Sequence, residues 1–298
     1  MDIKTYLTDQ KKIVENALIH YMLRAGGDFA EHVETLRYSL FAGGKRIRPI
    51  LCLAAARMIG GKKFNDETVL PTACALECIH TYSLIHDDLP AMDNDELRRG
   101  KPTNHAVYGE AAAILAGDGL HCFAFDLLSN TDYLLTSSRT QLEIIFTIAR
   151  AAGPLGMVGG QFLDVAHEGK DISFELLRTI HRSKTGALIT ASVLAGGITA
   201  EASGEQRKLL TEYGNAVGLA FQIVDDILNV ESTSEQLGKT AGSDEKLGKA
   251  TYPAYFGLGQ SKKMAEDAVE NAMLSLSNFG NEADPLREIA QYIIKRNK

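Results

Sequence analysis

The 298-residue chain lacks several features that would assign it to a special class of protein. No run of 18 apolar residues occurs, because the longest apolar stretch, 187–200, is interrupted by Thr190, Ser192 and a glycine pair. This stretch therefore predicts a core helix rather than a membrane span. The four cysteines show no CxxC spacing, and Cys74 and Cys78 share a helix face, which favours a core over a zinc site. The first residues contain no secretory apolar stretch, so we expect a reduced, cytoplasmic protein.

Excess positive charge is also missing. The formal net charge is −7 and the pI is about 5.7. These values disfavour nucleic acid or an anionic membrane surface as the main partner. An acidic protein that binds a polyanion needs local basic clusters, or metal ions, to reverse the field around its site.

Strand signals are scarce, whereas helical periodicity extends along most of the chain. Apolar residues recur at three- and four-residue steps in 206–230 and 68–89. Composition also favours helix in 50–59, 111–128, 140–152, 174–195 and 263–277. Short loops are expected at 130–138, 168–173, 196–204 and 278–285. No linker is evident, and we predict one all-α domain over residues 1–298.

Two pairs of adjacent aspartates, Asp87-Asp88 and Asp225-Asp226, lie 138 residues apart, each near the end of an amphipathic apolar stretch. Adjacent carboxylates repel one another and resist burial, so another charge has to compensate them. Magnesium prefers a few carboxylates together with waters and substrate phosphates. After Pro90 a turn is expected to return Asp93 towards the first pair. A solvated acidic loop is the alternative for the first pair, and a solvated helix surface for the second.

Candidate groups for phosphate lie elsewhere in the sequence. The stretch 43–49 combines a flexible glycine turn with three cations, and guanidinium forks bind phosphate oxygens. A basic surface loop is the alternative for this stretch. His80 lies two helical turns before Asp87, on roughly the same face. His86 raises the competing idea of a His-Asp metal phosphohydrolase, which would leave the second aspartate pair unexplained.

Five stretches in order resemble the short-chain trans-prenyl diphosphate synthases, most closely those of bacterial farnesyl diphosphate synthases. They are GGKRIRP at 43–49, HTYSLIHDDLPAMDNDELRRGKPTNH at 80–105, KTGAL at 184–188, FQIVDDILN at 221–229 and GKATYP at 248–253. The resemblance extends from near residue 40 to the C-terminus. It implies an all-helical prenyl synthase bundle with an Asp-rich motif on either wall of a central cavity, and a homodimer.

The resemblance also implies a role for each matching position. The implied magnesium ligands, for three ions that hold an allylic diphosphate, are Asp87, Asp88, Asp93 and Asp225. More indirect contributions are implied for Asp226 and Asp244. The implied cations for the allylic diphosphate are Arg98, Lys184, Lys239 and Lys249. Isopentenyl diphosphate is implied to bind Lys45, Arg48, His80 and Arg99, with Arg296 closing over it from a basic tail.

The implied reaction condenses isopentenyl diphosphate with dimethylallyl or geranyl diphosphate to give farnesyl diphosphate. A diphosphate leaves poorly from carbon unless metals and cations neutralise its charge. The allylic cation that results needs electron-rich groups, and the matching positions are the Lys184 carbonyl, the Thr185 hydroxyl and the Gln222 amide. The departing diphosphate can take the proton, so no side-chain base is required. Water has to be excluded, which gives the polar, glycine-rich segment 231–252 a reason to be a lid.

Product length and one departure from the family pattern can be read from single positions. Tyr82 lies five residues before Asp87, about 7.5 Å along a helix axis. We expect Tyr82 and Ser83 to form the floor of the chain pocket, and an aromatic residue at 82 resembles farnesyl synthases. A tyrosine simply packed in the core is the alternative.

The second motif ends in Asn229, where the family usually has aspartate, and we expect activity to be retained.

Several other functions are compatible with parts of the pattern. A geranylgeranyl diphosphate synthase is the nearest alternative. A class I terpene cyclase has no second diphosphate and no need for the pocket at Lys45 and Arg48. A non-catalytic regulatory subunit of a longer-chain synthase typically loses the Asp-rich motifs, and a helical scaffold leaves five ordered motifs to coincidence.

Overall fold

The computed structural model describes residues 1–133, 135–231 and 250–295. The α-helices are α1 (Ile3–Tyr21), α2 (Ala30–Leu40), α3 (Ile47–Gly60), α4 (Leu70–Asp87), α5 (Asn104–Tyr108), α6 (Glu110–Ser129), α7 (Ser138–Ala152), α8 (Met157–Ala166), α9 (Phe174–His181), α10 (Ala187–Thr199), α11 (Gly204–Glu231), α12 (Tyr252–Ser275) and α13 (Asp284–Lys295). A π-helix, Arg182–Gly186, joins α9 to α10. Two-residue strands β1 (Leu97–Arg98) and β2 (Lys101–Pro102) form an antiparallel hairpin. The predicted all-α class is confirmed.

The predicted helices appear where apolar periodicity placed them, with ends set by local chemistry. Helix α4 has Pro71 in its first turn, where the missing N–H costs nothing, and it ends at Asp87, three residues before Pro90. Helix α7 begins after Ser137, whose side chain accepts a hydrogen bond from the Thr140 backbone N–H at 3.1 Å. At both ends, a breaker or capping residue in the sequence marks the helix boundary.

The core lies where α3, α4, α10 and α11 cross. Glycines allow these helices to approach closely: a Cβ on Gly196 would lie 2.1 Å from the Cys52 carbonyl oxygen, and one on Gly214 would lie 2.7 Å from the Thr190 Cα. Cys74 is buried in this core, as is Cys78 on the same face of α4. Their thiols are free, in agreement with the predicted packing role.

One expected loop differs from the structure, and the helix expected over 174–195 is interrupted by the π-helix. The loop expected at 196–204 is shorter, because α10 continues through the glycine pair to Thr199. Close contact with α3 stabilises glycine there in a helix that propensity would have ended. The π-helix at 182–186 was not anticipated, since a helix with one extra residue in a turn has no period of its own in the sequence.

Two helical stretches are long and apolar enough, by composition, to cross a bilayer. They are 110–129, with mean hydropathy 1.4, and 138–166, with mean hydropathy 1.3. Core helices of soluble proteins pass the same test. Less than half of either apolar window is buried within the described part of the chain, at 44% and 33%. Apolar surface on α6, α7 and α8 therefore faces outward.

Candidate active site

A cavity of about 420 Å³ lies between α4, α8 and the π-helix. Its charged and polar lining residues include Arg48, His80, Asp87, Gln161, Lys184 and Thr185. Its apolar lining includes Tyr82, Leu84, Met92, Met157, Phe162 and Val165. A cavity lined by both ionic and apolar side chains suits a ligand that joins a charged head to a hydrocarbon chain.

The two aspartates of the first pair have different environments. Asp87 lines the cavity, and its backbone carbonyl accepts a hydrogen bond from the Asp93 N–H at 2.8 Å, so the turn after Pro90 does return Asp93 to the pair. Asp88 is 3% exposed, and both of its carboxylate oxygens accept hydrogen bonds from the Arg98 Nε. The prediction that Asp88 ligates a metal would require the ion to share these carboxylate oxygens with Arg98.

The cavity-facing carboxylate of Asp87 is short of positive charge. Burial raises the pKa of Asp87 from its ordinary value to about 6; Lys184 opposes this rise, and the neighbouring Asp93 adds to it. A further cation placed here would lower this pKa and favour the charged form of the carboxylate. This is the electrostatic setting expected of a metal-binding carboxylate before its ion arrives.

The two aspartates of the second pair, on α11, also have different environments. Asp225 is partly exposed, and its charge acts on Arg48, one of the cavity residues. Asp226 is 3% exposed and accepts hydrogen bonds from the Gln222 side chain at 3.0 Å and the Tyr252 backbone N–H at 2.9 Å. Asn229, the departure from the family pattern, is buried one turn further along. The second member of each pair therefore has its carboxylate bound by protein donors, whereas Asp87 lines the cavity and Asp225 acts on the charge of Arg48.

The cations of 43–49 also differ in their environments. Arg46 is buried and pairs with Glu77 at 2.6 Å, so it stabilises the packing of α3 on α4. Arg48 faces the cavity; burial lowers its pKa to about 10, Glu77 and Asp225 oppose this, and the guanidinium stays charged at neutral pH. Within the described part of the chain, the buried Arg48 Nε has no hydrogen-bond partner. Lys45 is exposed at the start of the same turn.

His80 and Arg99 complete the predicted second basic pocket. Burial, and then the charges of Arg48 and Arg99, hold the pKa of His80 well below its ordinary value, so the imidazole is neutral at pH 7. The Arg99 guanidinium donates a hydrogen bond to the Gly43 carbonyl and packs over Gly44, which places it beside the turn that carries Lys45. Gly44 has a φ of +124°, which favours glycine, and a Cβ there would also force the Arg99 guanidinium to shift.

The π-helix presents Lys184 and Thr185 to the cavity. The Lys184 Nζ pairs with Asp164 of α8 at 2.6 Å. Gly160 permits this approach, since a Cβ there would lie 2.2 Å from the Lys184 backbone nitrogen. Thr185 donates its hydroxyl proton to the Gln222 amide oxygen at 3.0 Å, so the two side chains predicted to face an allylic cation are in direct contact.

Two residues of α8 that sequence reasoning missed belong to this site. Asp164 holds Lys184, and Gln161 lines the cavity with its amide nitrogen and oxygen both buried and, within the described residues, without a hydrogen-bond partner. The available signal was their three-residue spacing, which places both on one face of a helix. That signal is weak without knowledge that α8 packs against the π-helix.

Tyr82 and Ser83 line the cavity beneath Asp87, as predicted from their spacing. Tyr82 is 7% exposed, and its ring contacts His86, at a centroid distance of 5.7 Å, and His121 of α6, at 4.7 Å. His86 is fixed in turn by a 3.0 Å contact with the Ile114 carbonyl. His86 thus belongs to an aromatic cluster around Tyr82.

Four predicted contributors lie outside the described residues: Lys239, Lys249, Asp244 and Arg296. Most of the predicted lid segment 231–252 lies there as well. Their roles stay predictions.

The donor set of the described residues fits magnesium better than a metal with an all-protein cage. Among residues 1–133, 135–231 and 250–295, no three His, Cys, Asp or Glu side chains come together as a ready metal site. The carboxylates instead belong to α4 with its following turn and to α11. Magnesium keeps waters and substrate phosphates among its ligands, so a few carboxylates contributed by two elements are compatible with it.

Comparison with known proteins gives a consistent result. Residues 30–292 match the polyprenyl synthetase family. The chain is 48% identical over 297 residues to the geranylgeranyl diphosphate synthase of Cyanophora paradoxa, covering 99% of this chain and 97% of the relative. It is 46% identical over 298 residues to the farnesyl diphosphate synthase of Geobacillus stearothermophilus, covering 100% and 99%. The crystal structure of a FPP/GFPP synthase from Zymomonas mobilis is similar with a TM-score of 0.87 at 36% identity, covering 98% of this chain and 99% of that one.

The chain belongs to the polyprenyl synthetase family. It is a prenyltransferase, a short-chain prenyl diphosphate synthase. The similar proteins divide between farnesyl and geranylgeranyl synthases, so the comparisons assign the class and leave product length to the shape of the cavity.

Proposed function

We propose that this enzyme condenses isopentenyl diphosphate with dimethylallyl or geranyl diphosphate and releases farnesyl diphosphate. The observation that carries the proposal is the pairing of two charged regions with one apolar cavity. The carboxylates at Asp87 and Asp225 serve one diphosphate, and the basic group of Lys45, Arg48 and Arg99 serves another. A hydrolase or a cyclase would need a single diphosphate region.

The basic group suits an anion without a metal ion. The Arg48 Nε is buried and, in the described structure, lacks a hydrogen-bond partner, so it carries a desolvation cost that a phosphate oxygen would offset. His80 is neutral, so it offers one N–H without adding a further proton to the site. The isopentenyl diphosphate head would therefore lie between Arg48, His80 and the turn at Lys45.

The allylic diphosphate would bind between the two carboxylate groups with Mg²⁺. Asp87, Asp93 and Asp225 would hold the ions, and Arg98 and Lys184 would add fixed positive charge. When bound, the ions neutralise the diphosphate and make it a better leaving group. Asp88 and Asp164 then have a positioning role, since they already hold Arg98 and Lys184. The predicted count of three ions belongs to this proposal.

Each condensation breaks one C–O bond and one C–H bond, forms one C–C bond, and replaces the double bond it consumes with a new one formed from the C–H electrons. The C1–O bond of the allylic diphosphate breaks, and both electrons leave with the diphosphate. The terminal double bond of isopentenyl diphosphate supplies the electron pair for the new carbon–carbon bond. The cation that remains loses a proton to the departing diphosphate. In this scheme Thr185 and Gln222 stabilise the allylic cation through oxygen lone pairs, and the apolar walls exclude water.

Product length would be set by Tyr82. Its ring is supported from behind by His121 and beside it by His86, so it resists displacement by a growing chain. A rigid floor near Asp87 favours a fifteen-carbon product. A twenty-carbon product is the second candidate, because a relative that is 48% identical bears the name geranylgeranyl diphosphate synthase.

We also propose a homodimer built on the outward apolar surface of α6 and α7. Exposed side chains on this surface, outside the cavity lining, are Ile114, Leu115, Leu142 and Phe146. At about half exposure they present roughly 400 Å² of apolar area, which is about half of one side of a standard interface. A second copy would cover surface that the chain's own core leaves exposed.

An omission assay tests the proposal. Purified enzyme receives dimethylallyl diphosphate alone, isopentenyl diphosphate alone, or both, with Mg²⁺ or with EDTA. Diphosphate release and a longer prenyl chain should appear together only with both substrates and Mg²⁺. Release from the allylic substrate without chain growth would indicate a hydrolase or a cyclase instead.

A further inference from the structure

Asp226 connects the cavity to the start of α12 through a chain of three hydrogen bonds. Its Oδ2 accepts from the Tyr252 backbone N–H at 2.9 Å, and its Oδ1 accepts from the Gln222 Nε2 at 3.0 Å. The Gln222 Oε1 accepts from the Thr185 hydroxyl at 3.0 Å. Thr185 lines the cavity, whereas Asp226 is 3% exposed. The chain therefore runs from a buried carboxylate to the cavity wall.

We propose that Asp226 is a positioning residue that fixes the polarity of Gln222 and Thr185, so that both present lone pairs rather than protons to the allylic cation. A carboxylate can only accept, so the end of the Gln222 amide that faces Asp226 has to be the donor NH₂. The opposite end is then the carbonyl oxygen. That oxygen takes the Thr185 proton, which leaves the lone pairs of the hydroxyl available to the cavity.

Reversal of the Gln222 amide would be harmful in two places. Its oxygen would face the Asp226 carboxylate, and its NH₂ would donate to the Thr185 oxygen. The Thr185 hydroxyl could then no longer donate to Gln222, and its O–H would turn towards the cavity. Two dipoles would point their positive ends at a developing cation. The buried negative charge of Asp226 prevents this reversal without contacting substrate.

This inference gives the second aspartate pair two separate tasks and rests on the proposed prenyl transfer. Asp225 acts on the cavity charges, whereas both oxygens of Asp226 already have protein donors. If Asp226 were chiefly a metal ligand, its replacement would raise the Mg²⁺ requirement. If Asp226 only tethered α12, its replacement would change stability. The ratio of allylic alcohol to farnesyl product would then stay unaltered.

A donor–acceptor swap tests the proposal. Wild type, D226N, Q222E and Q222E/D226N are compared by steady-state kinetics. In the double variant the new amide at position 226 donates its NH₂ to the new carboxylate at position 222, and the oxygen of that amide accepts from the Tyr252 N–H. The carboxylate also accepts from Thr185, so every hydrogen bond is restored at unchanged net charge. D226N should lose about 30- to 300-fold in kcat, with KM for both diphosphates and half-saturating Mg²⁺ within about threefold of wild type. The double variant should regain at least about tenfold over each single variant.

Cation capture by water supplies a second readout. D226N and Q222E should release more allylic alcohol per farnesyl product than wild type, and the double variant should release less than either. Equal kcat in D226N and the double variant, or a tenfold rise in half-saturating Mg²⁺ for D226N, would overturn the proposal. If D226N does not fold, as judged by thermal unfolding, Q222E against the double variant makes the same comparison. An inactive wild type would instead refute the proposed function.

Discussion

Arg98 holds Asp88 through its Nε, which donates to both carboxylate oxygens at 2.6 and 2.8 Å. The Asp88 side chain is 4% exposed and the Arg98 side chain 28% exposed, so the pair is shielded mainly on the carboxylate side. Burial raises the pKa of Asp88, and the Arg98 hydrogen bond opposes that rise. Arg98 therefore favours the charged form of a carboxylate whose burial opposes it.

Loss of Arg98 should destabilise the fold. R98Q leaves Asp88 buried without its cation, and we expect the free energy of unfolding to fall by about 2–3 kcal/mol at pH 7. The matched double variant D88N/R98Q removes the uncompensated charge and should be more stable than R98Q. Urea unfolding measures both. A loss below about 0.5 kcal/mol for R98Q would mean that the pair adds nothing to stability.

The two members of the first pair should respond differently to neutralisation. D87N changes a carboxylate that lines the cavity, so half-saturating Mg²⁺ should rise at least about tenfold and kcat should fall by about 100-fold or more. D88N retains an oxygen that accepts from Arg98, so its Mg²⁺ requirement should stay within about threefold of wild type. Magnesium titrations of the prenyl transfer rate compare them. Equal increases would show that Asp88 also binds the metal.

Truncation of Tyr82 should lengthen the product. Y82A removes the ring that we propose as the floor of the chain pocket and should shift the main product from fifteen to twenty carbons or more. Y82F keeps the ring and its contacts with His86 and His121, so it is the control that should retain fifteen carbons. Product chains are sized by chromatography after phosphatase treatment.

His121 contacts the Tyr82 ring and allows a second test of the same prediction. H121A should keep the fifteen-carbon product, because Tyr82 still covers the opening, whereas Y82A/H121A should give longer chains than Y82A. Unchanged product length in Y82A would place the floor elsewhere in the cavity.

The stability of the enzyme should depend on pH through His181. Burial lowers the pKa of His181 to about 4, with Lys184 adding to the shift and Asp164 opposing it more strongly than Lys184. The ring stacks on Tyr252 at a centroid distance of 5.6 Å. In the unfolded chain the pKa returns to about 6.5. Neutral His181 therefore contributes stability in full above pH 6.5, and this is lost as pH falls from about 6.5 towards 4.

H181Q isolates this contribution, since glutamine does not titrate. Wild type should be the more stable protein at pH 7, and its advantage over H181Q should shrink by about 2 kcal/mol at pH 4.5. Urea unfolding at the two pH values gives the difference. A constant advantage at both values would show that His181 titrates alike in the folded and unfolded chain.

Charge on the outward apolar surface should prevent association. L142E/F146E places two carboxylates on α7, away from the cavity lining, and should convert a dimer into monomers of unchanged helix content. F29E is the matched control, because Phe29 is 73% exposed and lies outside α6, α7 and α8. Sedimentation equilibrium measures the mass. A dimer that survives in L142E/F146E would place the interface on another face.

Sequence pattern predicted the helices and the cavity residues well, because apolar periodicity and ordered motifs record which faces are buried. It did not separate neighbours of like chemistry. The sequence alone does not distinguish Asp87 from Asp88, yet Asp87 lines the cavity and Asp88 binds Arg98. Arg46 and Arg48 differ likewise, since only the packing of α3 on α4 decides which guanidinium meets Glu77. Asp164 and Gln161 were missed because their function depends on contact with a π-helix that leaves no periodic signal.

The most direct test of the account is the size of the product made from radiolabelled isopentenyl diphosphate. Purified enzyme is incubated with Mg²⁺, dimethylallyl diphosphate and the labelled substrate, and the chains are sized after dephosphorylation. The account predicts label in a fifteen-carbon chain, with two isopentenyl units added per dimethylallyl group. A folded enzyme that incorporates no label would contradict prenyl transfer, and label mainly in chains of twenty carbons or more would contradict the floor at Tyr82.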